Sequence, residues 1–392
     1  MSTRPSVLVV SPYPPTPPFS GGRRRSMEFI AALREVVFVT LGSVVFNRED
    51  ELALVKHFGS SCDLLMGRPT ADDRPSDLPL AFGWAWSSEL AQQIGYRHRK
   101  APFGVAIAMH SFSFPFIAPL QGARKVLDAH NLEFRVHAQF AELPVGDRDR
   151  LRILAGSGGD GYGESDAMEL RTFEQVMWSM ADIVLCVSEA ERREVASAPG
   201  NPRALLVPNA SVSPRHVSNS YGPQAAVISF AGALNYIPNV DAVVALTEEV
   251  APLVRGLIPG VGLLIAGREP TRALVQHCTS RSASVVADPK DMFATLAGTV
   301  MAVPLRMGAG TRIKVLEARS HGLPVVASPM AVEGLKAQDD DRGLVVSDGP
   351  EAMARDLVDR LLSPDRSVTA LVRSPTWREV LLPALAEIGA DV

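Results

Sequence analysis

The chain has 392 residues, 46% of them hydrophobic and 21% charged, with a formal net charge of −4 at pH 7. Two domains of about 150 residues or more are expected from that length, with enough apolar sequence to bury sizeable cores, which excludes a disordered chain. The charge provides no global basic field for nucleic acid, so any anion must be caught by local groups.

Cys62, Cys186 and Cys278 are scattered and contain no CxxC pair, which argues against a disulfide framework or a zinc site and for a reducing cytoplasm. The apolar run in MSTRPSVLVV is too short for a signal peptide.

In chain order, SVLVVS reads as a strand and RRRSMEFIAALRE as a helix, with VVFVTLG as the next strand. A proline-stiffened loop, PYPPTPPF, leads into Gly21 and Gly22 at the start of that helix. The two glycines are candidates for backbone contact with a phosphate. They lack the GxGxxG spacing of a dinucleotide-cofactor site. Arg23 to Arg25 read equally well as a solvated helix face.

The uncharged stretch from Ala101 to Ala123 is long enough to span a membrane, but it contains Pro102, Pro115, Pro119 and His110. A buried strand, a loop and a helix start are the expected reading. AGSGGDGYGES is a flexible connector or a flap over substrate. ADIVLCVS and EAERREVASA continue the strand and helix alternation, NASVSPRHVSNSYGPQ has linker composition, and AVISFAGAL restarts the pattern.

The expectation is α/β: two Rossmann-like doubly wound parallel-sheet domains, residues 1–218 and 219–372. A helical segment, 373–392, containing Pro383, would pack back on the first domain.

The stretch VPLRMGAGTRIKVLEARSHGLPVVAS carries the strongest chemical signal. It reads as a strand, a glycine turn, a helix stopped by Gly322 and another strand, and ligands of open α/β sheets sit at such strand ends. Gly308 and Gly310 allow close backbone approach, and the helix start offers unpaired N–H groups. Arg306, Arg312 and Lys314 add positive charge, so the turn suits a diphosphate. Glu317 would accept hydrogen bonds from ribose hydroxyls, or else pair with Lys314 three residues earlier.

This segment resembles the donor-site signature of GT-B glycosyltransferases of family 4 (glycosyl transferases group 1), a retaining branch. PYPPTPPFSGG, DAHNLEF, ADIVLCVSEAE, VPNAS, FAGALNYIPNVDAV and LLIAGREP fall in the family's order along nearly the whole chain.

The resemblance implies a bacterial, cytoplasmic enzyme of carbohydrate biosynthesis that takes a nucleotide-diphosphate sugar as co-substrate, in a cleft between the two domains. It implies no other cofactor and no metal. The acceptor would be a small molecule, a glycan or a lipid-linked sugar, with room for peripheral association at the inner membrane surface. Oligomeric state is left open.

Glu317 would hold the ribose, while Gly21 and Gly22 would approach the diphosphate. Arg306, Gly308, Gly310, Thr311, Arg312 and Lys314 complete the donor-binding set. His130 and His110, both after strands, are the catalytic candidates; a lone histidine is otherwise often structural.

Three positions depart from the family pattern. Ala309 stands where a first glutamate is common, and Ala233 and Pro238 replace an arginine and a lysine that neutralise the diphosphate. Arg312 and Lys314 fall where the signature usually has Gly and Pro, so positive charge has been moved to this turn.

The expected chemistry is front-face attack with retention, the leaving phosphate taking the acceptor proton. The D-x-D matches at Asp147–Asp149 and Asp339–Asp341 lie in polar surroundings and read as chance. A noncatalytic nucleotide-sugar-binding subunit and a nucleotide-sugar epimerase are the alternatives, with a dehydrogenase ranked lower.

Overall fold

The computed structural model describes residues 6–18, 20–70, 74–156, 164–210, 226–310, 312–335, 343–363 and 375–389. Thr311, Asp339, Asp340 and Asp341 lie outside these residues, as do most of the glycine-rich stretch and most of the linker containing the expected 218/219 boundary.

Among the described residues, strands β1 (Ser6–Ser11), β2 (Phe38–Val44), β3 (Asp63–Gly67), β4 (Val105–Met109), β5 (Arg124–Asp128), β6 (Ile183–Cys186) and β7 (Ala204–Leu206) form one sheet. Its order is β3-β2-β1-β4-β5-β6-β7, and every pairing is parallel. Strands β8 (Val227–Ala233), β9 (Gly262–Arg268), β10 (Ser284–Ala287), β11 (Val300–Val303), β12 (Val325–Ala327) and β13 (Leu344–Val346) form the second. Its order is β10-β9-β8-β11-β12-β13, again all parallel.

The aliphatic runs read from the sequence are these strands. Val7 to Val10 in β1 and Val300 to Val303 in β11 are almost fully buried, as strands covered on both faces must be. Polar residues set where the helices begin. Ser20, Ser87, Ser188 and Thr271 accept hydrogen bonds from backbone N–H groups at the starts of Gly21–Leu33, Ser88–Lys100, Glu189–Ala196 and Arg272–Thr279.

Chain order reverses between β1 and β4 in the first sheet and between β8 and β11 in the second, so each sheet has a switch point. The loops after β1 and β4 carry Tyr13 and His110; those after β8 and β11 carry Leu234 and the 304–312 turn.

The chain divides into two compact units, and neither is one continuous stretch. The first comprises Met1–His137, Gly161–Asn209 and Trp377–Val392; the second comprises Ala138–Asp160 and Ala210–Thr376.

The helix Val145–Ala155 belongs with the second unit because its side chains and carbonyls are engaged there. Arg150 pairs with Glu248, and Thr271 Oγ1 donates to the Leu154 carbonyl at 2.5 Å. In the first unit the helix Trp377–Ile388, which runs through Pro383, packs on Gly21–Leu33, with the Arg25 guanidinium 5.7 Å from the Trp377 ring centre.

The Ala101–Ala123 stretch supplies β4 and a 3-10 helix, Ser111–Phe116, whose Phe112, Phe114 and Phe116 lie in the first unit's core. No helix among the described residues is long and apolar enough to cross a membrane.

Candidate functional site

In the first unit, a buried polar cluster gathers at the carboxyl ends of β1, β4 and β5. Asp128 ends β5 with no solvent exposure, and Arg25 reaches it from the helix Gly21–Leu33. The guanidinium donates Nε at 2.9 Å and Nη2 at 2.6 Å to the two carboxylate oxygens, and Nη1 at 3.0 Å to Asn209 Oδ1. Burial alone would raise the Asp128 carboxyl, but Arg25 and then His130 hold it below the ordinary carboxylate range.

His130 lies with Nε2 3.1 Å from Asp128 Oδ2, in a left-handed backbone conformation (φ 55°). His110, at φ 75°, stands next to it, the ring centres 3.9 Å apart. Burial lowers both imidazoles from their ordinary value, His110 well below it. Among the described residues, Nδ1 of each is buried without a hydrogen-bond partner.

Three further groups complete the cluster. The Tyr13 hydroxyl lies 2.6 Å from His110 Nε2, and Glu133 Oε1 lies 3.7 Å from His110 Nδ1. Glu174, fully buried, accepts from Ser111 Oγ at 3.0 Å and from the Phe134 N–H at 3.1 Å. Burial pushes Glu133 up to about 7, and burial with the nearby Glu133 pushes Glu174 up to about 8.

Gly22 adjoins this group: a Cβ there would stand 2.1 Å from the Tyr13 hydroxyl. Its missing side chain therefore makes room for the Tyr13–His110 contact. Gly21 begins the helix and is exposed.

Placed together here are His110, His130 and Gly22 from the sequence candidates. Missed were Asp128, Tyr13, Glu133, Glu174 and Asn209. Arg25 does not lie on a solvated face, one of the two readings its sequence offers, for it is 1% exposed; Arg23 and Arg24 are half-buried. The available signal was Asp128 itself, an ionisable residue ending a buried strand two positions before His130.

In the second unit, the turn after β11 holds Arg306, Gly308, Ala309, Gly310 and Arg312, followed by the helix Ile313–Ser320 with Lys314 in its first turn. Gly308 has φ 143°, and a Cβ there would come within 2.6 Å of Arg312 Nη2. Its N–H donates to Gln139 Oε1 at 2.7 Å. Arg312 is buried and donates Nη1 to the carbonyls of Ala309 and, at 2.6 Å, Gly310. Its guanidinium thus shapes the turn.

Arg306 points elsewhere, donating to both oxygens of Asp241 at 2.5 and 3.0 Å and to Glu249 at 2.8 Å. Two carboxylates already neutralise it, because Asp241 is buried in the helix Ile237–Ala245 and needs a cation.

Lys314 Nζ donates to Asn239 Oδ1 at 2.6 Å and lies 4.5 Å from the Phe230 ring centre. It is also 3.0 Å from where a Gly232 Cβ would stand, which places the ammonium beside the end of β8 on the face that carries Phe230. Burial, then Arg312, lower it to about 7. Of the two readings for Glu317, the side-chain bond of Lys314 goes to Asn239 rather than to that carboxylate; Glu317 is half-buried on the helix Ile313–Ser320.

Asp147 and Asp149 lie exposed on the helix Val145–Ala155, where Asp149 pairs with Arg152.

Residues 225–363, within the second unit, match the family model for glycosyl transferases group 1. No curated protein matches the chain. Among solved structures, the chain is similar to sucrose-phosphate synthase from Thermosynechococcus elongatus, at 15% identity and TM-score 0.62, over 99% of this chain and 94% of that one. It is also similar to WaaG, a glycosyltransferase involved in lipopolysaccharide biosynthesis, at 12% identity and TM-score 0.58, over 98% and 92%. The Anabaena protein HepE, in complex with UDP and glucose, aligns at 12% identity and TM-score 0.56, over 98% and 95%. At such identities the likeness is one of fold, and the fold is GT-B: two parallel-sheet α/β domains.

Proposed function

We propose that the protein is a retaining, metal-independent glycosyltransferase that moves a sugar from a nucleotide-diphosphate sugar to an acceptor hydroxyl. The observation that carries this reading is Lys314. Its ammonium is held against Gly232, beside the end of β8, by a neutral amide, one residue before the Ala233 position where the resemblance leads one to look for a cation. A cation there, the Gly308–Gly310 turn and the N–H groups at the helix start form an anion site at the second sheet's switch point. The UDP bound to HepE supports a nucleotide-sugar donor.

In this reading Lys314 and the turn backbone stabilise charge on the departing nucleoside diphosphate, each preorganised contact contributing about 2–4 kcal/mol. Glu317 accepts hydrogen bonds from the ribose hydroxyls, and His130 and His110 act on the sugar. Arg312 acts through the turn whose carbonyls it holds, and Arg306 is left out, being paired with Asp241 and Glu249.

A second reading, a noncatalytic nucleotide-sugar-binding subunit, is favoured by Ala309 and by that engagement of Arg306. Thermal unfolding with UDP, GDP, dTDP or ADP in EDTA tests the donor site. One nucleotide at a hundred times its Kd should stabilise wild type by about 2.7 kcal/mol and lose that effect in Glu317→Ala. No shift with any of the four contradicts the site, and a shift that EDTA abolishes contradicts metal independence. Binding without sugar release from the matching nucleotide-sugar would favour the subunit reading.

A further inference from the structure

We propose that Tyr13, His110 and Glu133 form a proton-accepting unit in which the acceptor hydroxyl takes the place of the Tyr13 hydroxyl at His110 Nε2 and Glu133 positions the imidazole from behind. The proposal rests on the glycosyl-transfer reading, gives His110 a specific role and adds Tyr13 and Glu133, which that reading does not use. It replaces the leaving phosphate as the proton's destination.

The geometry is that of a base oriented by a third group. His110 is 6% exposed, and its Nε2 already has a hydroxyl at 2.6 Å, the contact an acceptor hydroxyl would make. Its Nδ1 is buried, has no hydrogen-bond partner among the described residues, and has a carboxylate oxygen 3.7 Å away. That distance is longer than a hydrogen bond, as catalytic contacts without ligand often are, and closing it needs a shift of less than 1 Å. Glu133 begins the helix Glu133–Ala141, while the fully buried Glu174 accepts the Glu133 and Phe134 N–H groups and anchors that helix start.

As the acceptor oxygen bonds to the anomeric carbon, its O–H bond breaks and the proton passes to Nε2. The bond from that carbon to the phosphate oxygen breaks, its electron pair leaving on the nucleoside diphosphate. An imidazolium results in a buried site that disfavours it, and the Glu133 carboxylate behind Nδ1 stabilises it. Tyr13, His130, Asp128 and Arg25 also face or neighbour the imidazole, while Glu174 and Glu191 act on Glu133. Ionisation of Glu133 near pH 7 supports the assignment.

Two readouts test it. UDP-glucose hydrolysis, with water as the acceptor, should rise with pH through about 7 in wild type. Glu133→Gln should lose that limb and fall about 100-fold in kcat, with UDP affinity unchanged and partial rescue by Glu133→Asp. Wild-type kcat and pH profile in Glu133→Gln overturn the proposal. The second readout needs no turnover: 15N spectra of histidine-labelled protein should show His110 protonated at Nδ1 in wild type and shifted in Glu133→Gln. Protonation at Nε2 in wild type overturns the proposal whatever the activity. Absence of sugar release from every nucleotide-sugar alongside an Nδ1–H tautomer counts against the glycosyl-transfer reading on which the proposal rests.

Discussion

The two strand-end sites treat their cations differently. At the carboxyl end of the first sheet, Arg25 has its charge cancelled by the buried Asp128 and its third nitrogen, Nη1, donating to Asn209. In the second unit, Lys314 has an amide oxygen and an aromatic face as partners, neither of which carries a charge. A cation paired with a buried carboxylate stabilises the fold, whereas a lysine held by neutral groups can take up its proton and present a charge when an anion arrives. Arg306 sits near Lys314 in sequence yet belongs with Arg25 in kind, because Asp241 and Glu249 take its charge.

The largest expected effect of breaking this contrast is on stability. Arg25→Ala leaves Asp128 buried without its guanidinium and should cost about 3–5 kcal/mol in urea denaturation. A cost under about 1 kcal/mol would mean that water or His130 replaces the guanidinium at no penalty.

Lys314→Met should leave the fold intact and act on ligand binding, weakening nucleoside diphosphate affinity about 10–100-fold, the range of a charged hydrogen bond. It should also change the stability profile with pH. The folded chain holds Lys314 near 7 and the unfolded chain near its ordinary 10.5, so the unfolded state binds the extra proton between those values. Wild-type stability should therefore gain a contribution as pH rises through about 7, and the variant should lack it.

Gly22→Ala is the smallest perturbation. The new methyl displaces the Tyr13 hydroxyl, and losing its contact with His110 should cost about 1 kcal/mol. Most of that loss should vanish in a Tyr13→Phe background, as expected for two groups sharing one space.

The two parallel sheets were legible because strands buried on both faces are written as unbroken aliphatic runs and the helix starts are marked by Ser and Thr. The glycine turn was legible because Gly308 occupies a backbone conformation that a side chain would strain. The partners of the charges were not. Arg25 and Asp128 are 103 residues apart in sequence, and Arg306 and Asp241 are 65 apart. Only the folded sheet order tells a solvated arginine from a buried one.

The same limit hid the interleaving of the units, since Val145–Ala155 carries no mark in its own sequence of the Glu248 and Thr271 contacts that tie it to the second unit. Asn239 was invisible for a further reason. An amide in a helix start has many uses, and its role follows only from where Lys314 turns.

Proton uptake on nucleotide binding is the most direct test of the central claim that Lys314 is the cation of a diphosphate site. Calorimetric titration at pH 8 in two buffers of different ionisation enthalpy, using the nucleotide with the largest thermal shift, measures it. A bound diphosphate should restore the proton that burial removes, so wild type should take up close to one proton and Lys314→Met almost none. Tight binding without proton uptake, or equal uptake in the two proteins, would show that the diphosphate is held by other groups.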